Sequence, residues 1–143
     1  MPEVRPVKLA RFLVILTALC LISSAAAAAV VGQNDKEVQT VAEPILDAVL
    51  NGMNSGDYAL YSKYFDATMK AAMPENRFQR VRKDIMGKLG KYKSRTYLGF
   101  ETKENFTVAL WKGRFSKTAN DVTIKLVLSK NSGKVQVAGL WFQ

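Results

Sequence analysis

Histidine is absent from the chain, and the single cysteine, Cys20, lies in an apolar run near the N-terminus. One chain therefore cannot form a Ser-His-Asp or Cys-His nucleophile pair, a Cys/His zinc site, a His-ligated haem or a disulfide. Carboxylates, tyrosines and lysines remain available for chemistry. The composition thus predicts neither a metal nor a cofactor, and any catalysis would use a carboxylate with a tyrosine.

The carboxylates are poorly placed for such catalysis. The acidic residues of the strand region, Glu101, Glu104 and Asp121, all fall at expected turns. On the helices, Asp47 and Asp66 remain candidates, while Asp57 is better explained as a helix cap. A binding role is therefore predicted, with a cofactor-free isomerase or lyase as the alternative.

Seven aromatic side chains are the predicted lining of a ligand pocket between helices and sheet. They are Tyr58, Tyr61, Tyr64, Phe65, Phe100, Trp111 and Trp141. An aromatic cavity suits a flat or fatty ligand. The alternative is that a domain of this size needs the same rings for its core.

Basic residues are concentrated in one segment. Between Arg77 and Arg95 there are eight cations and one acid, Asp84. A predicted basic face, opposite the apolar stripe of a helix, contains Arg77, Arg80, Lys83 and Lys88. This face suits anionic phospholipid head groups, envelope polyanions or an acidic protein, and the alternative is a solvated face without a partner. Arg82 falls inside the apolar arc instead, where it would snorkel or meet an acid.

Two further cations, Lys112 and Arg114, share a strand face with apolar residues. They would rim a pocket that takes an anionic ligand, or they are simply the exposed end of that strand.

Three helices are predicted before the strands. Apolar residues recur with a period near 3.6 from Val38 to Met53, which predicts a first helix capped by Asn34 or Asp35. Its expected end is Asn51-Gly52, and Pro44 is expected to kink it or to break it in two.

Asp57 is a suitable cap for a second helix, whose apolar face would comprise Tyr58, Tyr61, Phe65 and Met69. Pro74-Glu75 opens a third helix, because proline is tolerated at the first helical position. Phe78, Val81, Ile85 and Leu89 form its buried stripe, and Gly90 ends it.

After Gly90 the apolar period changes to two, which predicts four strands joined by short turns. The expected turns are Thr102 to Asn105, Thr118 to Asp121 and Asn131 to Gly133. Such short connections require antiparallel neighbours. The predicted class is α+β, with three N-terminal helices packed on a curved four-stranded antiparallel sheet.

This order of elements resembles the cone fold of the nuclear transport factor 2 superfamily. The similarity also rests on the helix-turn-helix segment from Ile45 to Tyr58, the Leu89-Gly90 helix end and the segment from Ala138 to Phe142. It covers about residues 35 to 143. The resemblance implies a cone-shaped domain and a homodimer formed through the sheet, but the fold hosts enzymes and binding modules alike.

The N-terminus resembles a signal peptide over residues 1–29. Arg5, Lys8 and Arg11 precede an apolar core, and the run of small residues that follows predicts cleavage after Ala27 or Ala29. An uncleaved membrane anchor is the alternative. Residues 30–36 are then a short linker and residues 37–143 one domain. Export to a bacterial periplasm or outside the cell makes nucleic acid an unexpected partner.

The sequence as a whole predicts an exported, non-catalytic cone-fold module that binds a small amphipathic or anionic ligand or a protein partner. The alternatives are the isomerase or lyase and an envelope protein that docks on anionic surfaces through the basic helix.

Overall fold

The computed structural model describes residues 29–143. In this part of the chain, helices precede a four-stranded antiparallel sheet, so the α+β class is confirmed, although the helices number four instead of three. The helices are α1 (Asp35–Ser55), α2 (Tyr58–Tyr61), α3 (Ala67–Ala72) and α4 (Glu75–Lys88). The strands are β1 (Tyr92–Lys103), β2 (Phe106–Phe115), β3 (Val122–Asn131) and β4 (Lys134–Phe142). The predicted signal peptide and Cys20 lie outside the described residues, except for Ala29.

Helix α1 begins as predicted and ends later than predicted. The Asn34 side chain accepts a hydrogen bond from the Glu37 amide, and the helix continues through Pro44 without a break. Gly52, the predicted stop, lies inside the helix and is buried. It is packed so closely against α2 that a Cβ there would lie 2.4 Å from the Tyr61 backbone nitrogen. Gly56 ends the helix in the left-handed conformation at φ 76°.

The predicted second helix is divided into α2 and α3. Asp57 caps α2 as expected, and Asp66 caps α3 by accepting from the Met69 amide. Between them the chain turns at residues 62–64 and then forms a single bridge to β4 at Phe65. The Val137 amide donates to the Tyr64 carbonyl, and the Val137 carbonyl accepts from the Asp66 amide. The prediction of one continuous helix was wrong because these bonds to the sheet replace helical ones.

Helix α4 begins after Pro74 and is followed by Gly90 at φ 77°, as predicted. Only Phe78 of its apolar stripe is fully buried. The stripe is completed by half-buried Ile85, Met86 and Leu89, which pack against the edge of the core. The opposite face of α4 is therefore left to solvent.

The strands are antiparallel neighbours in the order β1-β2-β3-β4. The first turn is shorter than predicted, because β1 continues to Lys103 and only Glu104 and Asn105 connect it to β2. The last hairpin turn has positive φ at Ser132 and Gly133, as a type I′ turn requires.

One face of the sheet, the inner face, packs against the helices. Its central row is formed by Tyr97, Trp111, Ile124 and Phe142, which pair successively across the four strands. On the helical side, Leu46, Leu50, Phe65 and Phe78 complete a continuous core. Burial of these large apolar side chains is the main stabilising term of the domain.

The N-terminal segment before α1 also lies against the sheet. Ala29 exchanges two backbone hydrogen bonds with Lys130, and the Val31 amide donates to the Thr107 hydroxyl. Residues 30–36, predicted as a linker, thus contact the domain and contain the beginning of α1 at Asp35.

Candidate functional site

The aromatic residues predicted to line a pocket occupy different environments. Tyr61, Phe65 and Trp111 are almost fully buried, and the Tyr61 ring lies 4.4 Å from that of Phe78. Tyr58, Tyr64 and Phe100 are partly buried against the same core. These six side chains pack on the helical side of the sheet, as the core interpretation expected.

The hydroxyl groups of the α2 tyrosines are poor candidates for acid–base chemistry. Tyr58 donates a hydrogen bond of 2.7 Å to the Met73 carbonyl. Burial raises the pKa of Tyr61 to about 12, with a smaller contribution from Tyr58. Tyr61 therefore remains protonated at neutral pH and contributes its ring to packing.

Trp141 lies on the other side of the sheet, which we call the outer face. Trp141 pairs with Lys125 of β3, and Lys125 pairs with Leu110 of β2. These residues point away from the helices, whereas Trp111, the residue after Leu110, points toward them. Successive side chains along a strand point to opposite faces of the sheet, and Trp141 is one of the β4 residues that point outward. The seven residues therefore cannot line one pocket. Of the seven, only Trp141 borders either of the two principal depressions in the described part of the chain.

A polar cluster joins α1 to the sheet around Glu43. The Glu43 carboxylate accepts a 2.8 Å hydrogen bond from the Trp111 indole and is ion-paired with Arg95. Arg95 also donates to Asp47 at 2.7 Å and to the Tyr92 hydroxyl at 2.9 Å. The cluster fixes the only fully buried indole and the register of α1 on β1.

The electrostatics of this cluster disfavour proton abstraction. Burial acts to raise the pKa of Glu43, but the hydrogen bonds from Trp111 and Arg95 and the Arg95 charge outweigh it and lower the pKa. Partial burial opposes the charge of Arg95, yet bonds to Asp47 and Glu43 raise its pKa overall. A carboxylate held ionised by Trp111, Arg95 and Gln39 is a structural acceptor and a weak base.

Glu43 was not among the sequence-predicted residues. It lies at four-residue spacing from Gln39 and Asp47, so one polar row borders the apolar stripe of α1. That row was a usable signal. The partner Arg95 could not be found from the sequence, because only the packing of α1 on β1 brings these residues together.

The outer face of the sheet carries an apolar groove of about 350 Å³. Its lining residues are Glu101, Lys103, Phe106, Val108, Lys125, Val127, Trp141 and Gln143. Trp141 is 50% exposed, and Leu98, outside the groove on the same sheet, is 55% exposed. No described element of the chain covers this surface, so the groove is open to a ligand.

Gly139 explains how Trp141 lies in the groove. A Cβ at Gly139 would be 2.3 Å from the Cζ3 atom of Trp141, so the indole lies over the glycine. Gly139 pairs with Val127, which pairs in turn with Val108. The indole therefore extends along its strand toward this apolar row and forms one wall of the groove.

The cations of the outer face form two groups. Lys112 and Arg114, the sequence-predicted rim, both contact Asp121, at 3.5 and 2.9 Å. The Arg114 hydrogen bond and the two positive charges lower the pKa of Asp121. Lys103 and Lys125 lie in the groove itself and form no ion pair with a described residue.

The predicted basic face of α4 is exposed as expected, with Arg77, Arg80, Lys83 and Lys88 all in contact with solvent. Arg82 is turned toward the domain, where its guanidinium donates to the Met53 and Asn54 carbonyls at 2.6 and 2.9 Å. Arg82 therefore anchors α4 to the end of α1. It meets carbonyl groups there instead of the acid considered from the sequence.

Within residues 29–143 no group of three or more acidic or cysteine side chains is placed to hold a metal ion. In the same residues no helix has the length and apolarity needed to cross a membrane.

The chain is similar in sequence to one family of proteins. The family described as Protein of unknown function (DUF3887) matches residues 47–140, from within α1 to β4. The chain belongs to this family. Searches of curated proteins and of solved structures gave no match.

Proposed function

We propose that the protein is a non-catalytic binding module whose outer-face groove takes a small amphipathic molecule with an anionic head. The observation that supports this most strongly is the half-exposed Trp141 in an apolar groove bordered by two lysines without a described ion-pair partner. Water-exposed apolar grooves of this kind are typical of binding sites.

The apolar part of the ligand would lie along Phe106, Val108 and Val127, with the indole of Trp141 beside it. These side chains are half-buried, so a bound alkyl chain would remove their remaining exposed area from water. Each buried methylene contributes about 0.8 kcal/mol, which is sufficient to drive binding of a chain of moderate length.

The head group would lie beside Lys103 or Lys125, which line the groove on either side of the Val108–Val127 pair. Glu101 is the one acidic side chain of the groove. The groove therefore offers an ionised head two cations and a single anion. A carboxylate is the simplest head of this kind, and each solvent-exposed ion pair adds up to about 1 kcal/mol.

A second copy of this chain is the competing occupant, because the superfamily resemblance implies dimerisation through the sheet. The chain has a net charge of +9, of which residues 1–27 contribute +2, so the cleaved protein would keep +7, which opposes self-association. A two-fold contact would also place the groove lysines of both copies near each other. The amphipathic ligand is therefore the favoured occupant.

The cone fold and the export of the protein are part of this proposal. The order of helices before a curved antiparallel sheet supports the cone fold, and the N-terminal charge and hydropathy pattern supports a signal peptide. Cleavage after Ala27 would retain the backbone pair between Ala29 and Lys130, so we favour that bond over the one after Ala29.

Equilibrium dialysis with labelled dodecanoate, below its micellar concentration, tests the site. The protein is expected to bind dodecanoate, and Trp141→Ala to weaken binding about tenfold, because the variant loses one groove wall. The control is Leu98→Ala, which removes an equally exposed apolar side chain outside the groove and should leave the affinity unchanged.

Lys103→Gln with Lys125→Gln tests the head group, and should weaken dodecanoate binding about three- to tenfold. Lys117→Gln, an exposed lysine outside the groove, is the control. Equal affinities of Trp141→Ala and Leu98→Ala for dodecanoate would contradict the proposal. So would a stable dimer that excludes dodecanoate and dissociates in Trp141→Ala, since it would assign the groove to a second copy.

A further inference from the structure

We propose that the exposed face of α4 and the adjoining start of β1 bind the surface of an anionic phospholipid bilayer. This surface lies on elements other than the groove, and its partner does not depend on what the groove takes. We call it the basic surface, and its residues are Arg77, Arg80, Lys83, Lys88, Lys91 and Lys93.

The structure divides the eight cations between Arg77 and Arg95 into two sets. Arg82 and Arg95 are directed into the domain, where carbonyl groups and the Glu43 cluster engage them. The six others are exposed. Of these six, Arg77 donates one bond to the Ala72 carbonyl, and none forms an ion pair with a described residue.

Several acidic residues of the domain are engaged away from the basic surface. Glu43 and Asp47 pair with Arg95, and Asp121 pairs with Lys112 and Arg114. Asp57 and Asp66 cap α2 and α3. On α4 itself only Glu75 and Asp84 are acidic. The basic surface therefore keeps a net positive charge.

A lipid head-group layer fits this arrangement better than a compact anion or a nucleic acid. The apolar stripe of α4 is turned to the core, so the exposed face offers charge without an apolar side chain to insert or stack. The bases of single-stranded nucleic acids stack on exposed aromatic side chains of the proteins that bind them, and no aromatic residue lies on this face of α4. A row of cations along one helix matches a planar array of negative head groups.

Vesicle sedimentation tests the proposal with the full chain. Vesicles of phosphatidylglycerol and phosphatidylcholine are expected to bind the protein more tightly than phosphatidylcholine alone, with an affinity that falls as salt increases. Arg80→Glu with Lys83→Glu should reduce the affinity for anionic vesicles at least about tenfold, because two attractive charges become repulsive.

The matched control is Lys36→Glu with Lys134→Glu, which changes the net charge equally at exposed positions outside the basic surface. It should retain most of the affinity. Both variants share residues 1–28 with the wild type, so any contribution of that segment is common to all. Arg80→Gln with Lys83→Gln provides a milder second variant, and circular dichroism verifies folding.

Three results would overturn the proposal. Equal affinity of the wild type and of Arg80→Glu with Lys83→Glu for anionic vesicles would exclude the basic surface as the binding site. An equal loss in the two charge-reversal variants would assign the effect to net charge alone. Tighter binding to a DNA oligonucleotide than to anionic vesicles at the same salt would assign the basic surface to nucleic acid. The groove variant Trp141→Ala should bind vesicles normally, so the two proposals fail independently.

Discussion

At the scale of single residues, Glu43 shows how a partly buried charge stabilises this domain. Its side chain is 29% exposed, and its carboxylate accepts from Trp111, Arg95 and, at 3.3 Å, Gln39. Removal of one partner from such a cluster leaves the others with unmet polar groups, which is costlier than the loss of an exposed ion pair. The Glu43 cluster is therefore expected to contribute to stability.

Glu43→Gln should lower the free energy of unfolding at pH 7 by about 1–3 kcal/mol. Glutamine still accepts a hydrogen bond from Trp111, but it carries no charge to meet Arg95. Urea denaturation followed by circular dichroism measures the change. Glu104→Gln, at an exposed turn, is the control and should change stability by less than about 0.5 kcal/mol.

The difference in unfolding free energy between wild type and Glu43→Gln should depend on pH if the Glu43 charge, and not only its packing, stabilises the fold. Because the folded-state pKa of Glu43 is lowered, its ionised form stabilises the fold above the unfolded-state pKa, and that stabilisation is lost as pH falls through the folded-state value. The difference between wild type and Glu43→Gln should therefore shrink as pH falls below about 4.3. A difference that stays constant down to pH 3 would contradict an electrostatic role.

At the scale of elements, two glycines inside helices have opposite surroundings. Gly52 in α1 is in contact with the backbone of Tyr61, which allows α2 to cross close to α1. Gly87 in α4 has no atom within 4 Å of a Cβ built on it. Helix propensity favours alanine at both positions, so only the packing distinguishes them.

Gly87→Ala is expected to stabilise the protein by about 0.5–1 kcal/mol, because alanine restricts the unfolded chain and favours the helix. Gly52→Ala is expected to destabilise it by about 1–3 kcal/mol, because the Tyr61 backbone must move away. Chemical denaturation of the two variants beside wild type measures both signs. Stabilisation by Gly52→Ala would contradict the close approach of α1 and α2.

Helix and strand boundaries could be predicted from the sequence where neighbouring residues determine them. The Asn34 and Asp57 caps, the start of α4 and the antiparallel strands depend on neighbouring residues and were predicted from the sequence. The division between α2 and α3 depends on bonds to Val137. The extension of α1 past Gly52 depends on contact with Tyr61. Both are long-range effects, which a local pattern cannot reveal.

The candidate site was harder to predict for the same reason. Alternation along β2 separates the side of Trp111 from that of Phe106 and Val108, but it does not say which side the helices cover. Trp141 was therefore grouped with the aromatic residues predicted to line a pocket between helices and sheet. Its own strand, β4, also contains an extra residue, Ala138, because Val127 and Leu128 of β3 pair with Gly139 and Val137, and local alternation does not record this register shift.

At the scale of the whole molecule, the two faces of the sheet have different roles in this account. The inner face is packed with the core, so the stability of the domain depends on it. The outer face holds the groove, and the basic surface lies on α4 and the start of β1. A ligand and an anionic surface could therefore engage the protein at the same time without sharing residues.

The central claim, that the ligand lies in the outer-face groove, is tested most directly by the indole N–H signals of the labelled protein. The chain has two tryptophans, so a heteronuclear correlation spectrum contains two such signals, which Trp141→Phe assigns. Saturating dodecanoate should shift the Trp141 signal and leave that of Trp111, bonded to Glu43, in place. A shift confined to Trp111, or no shift of either signal, would contradict the account.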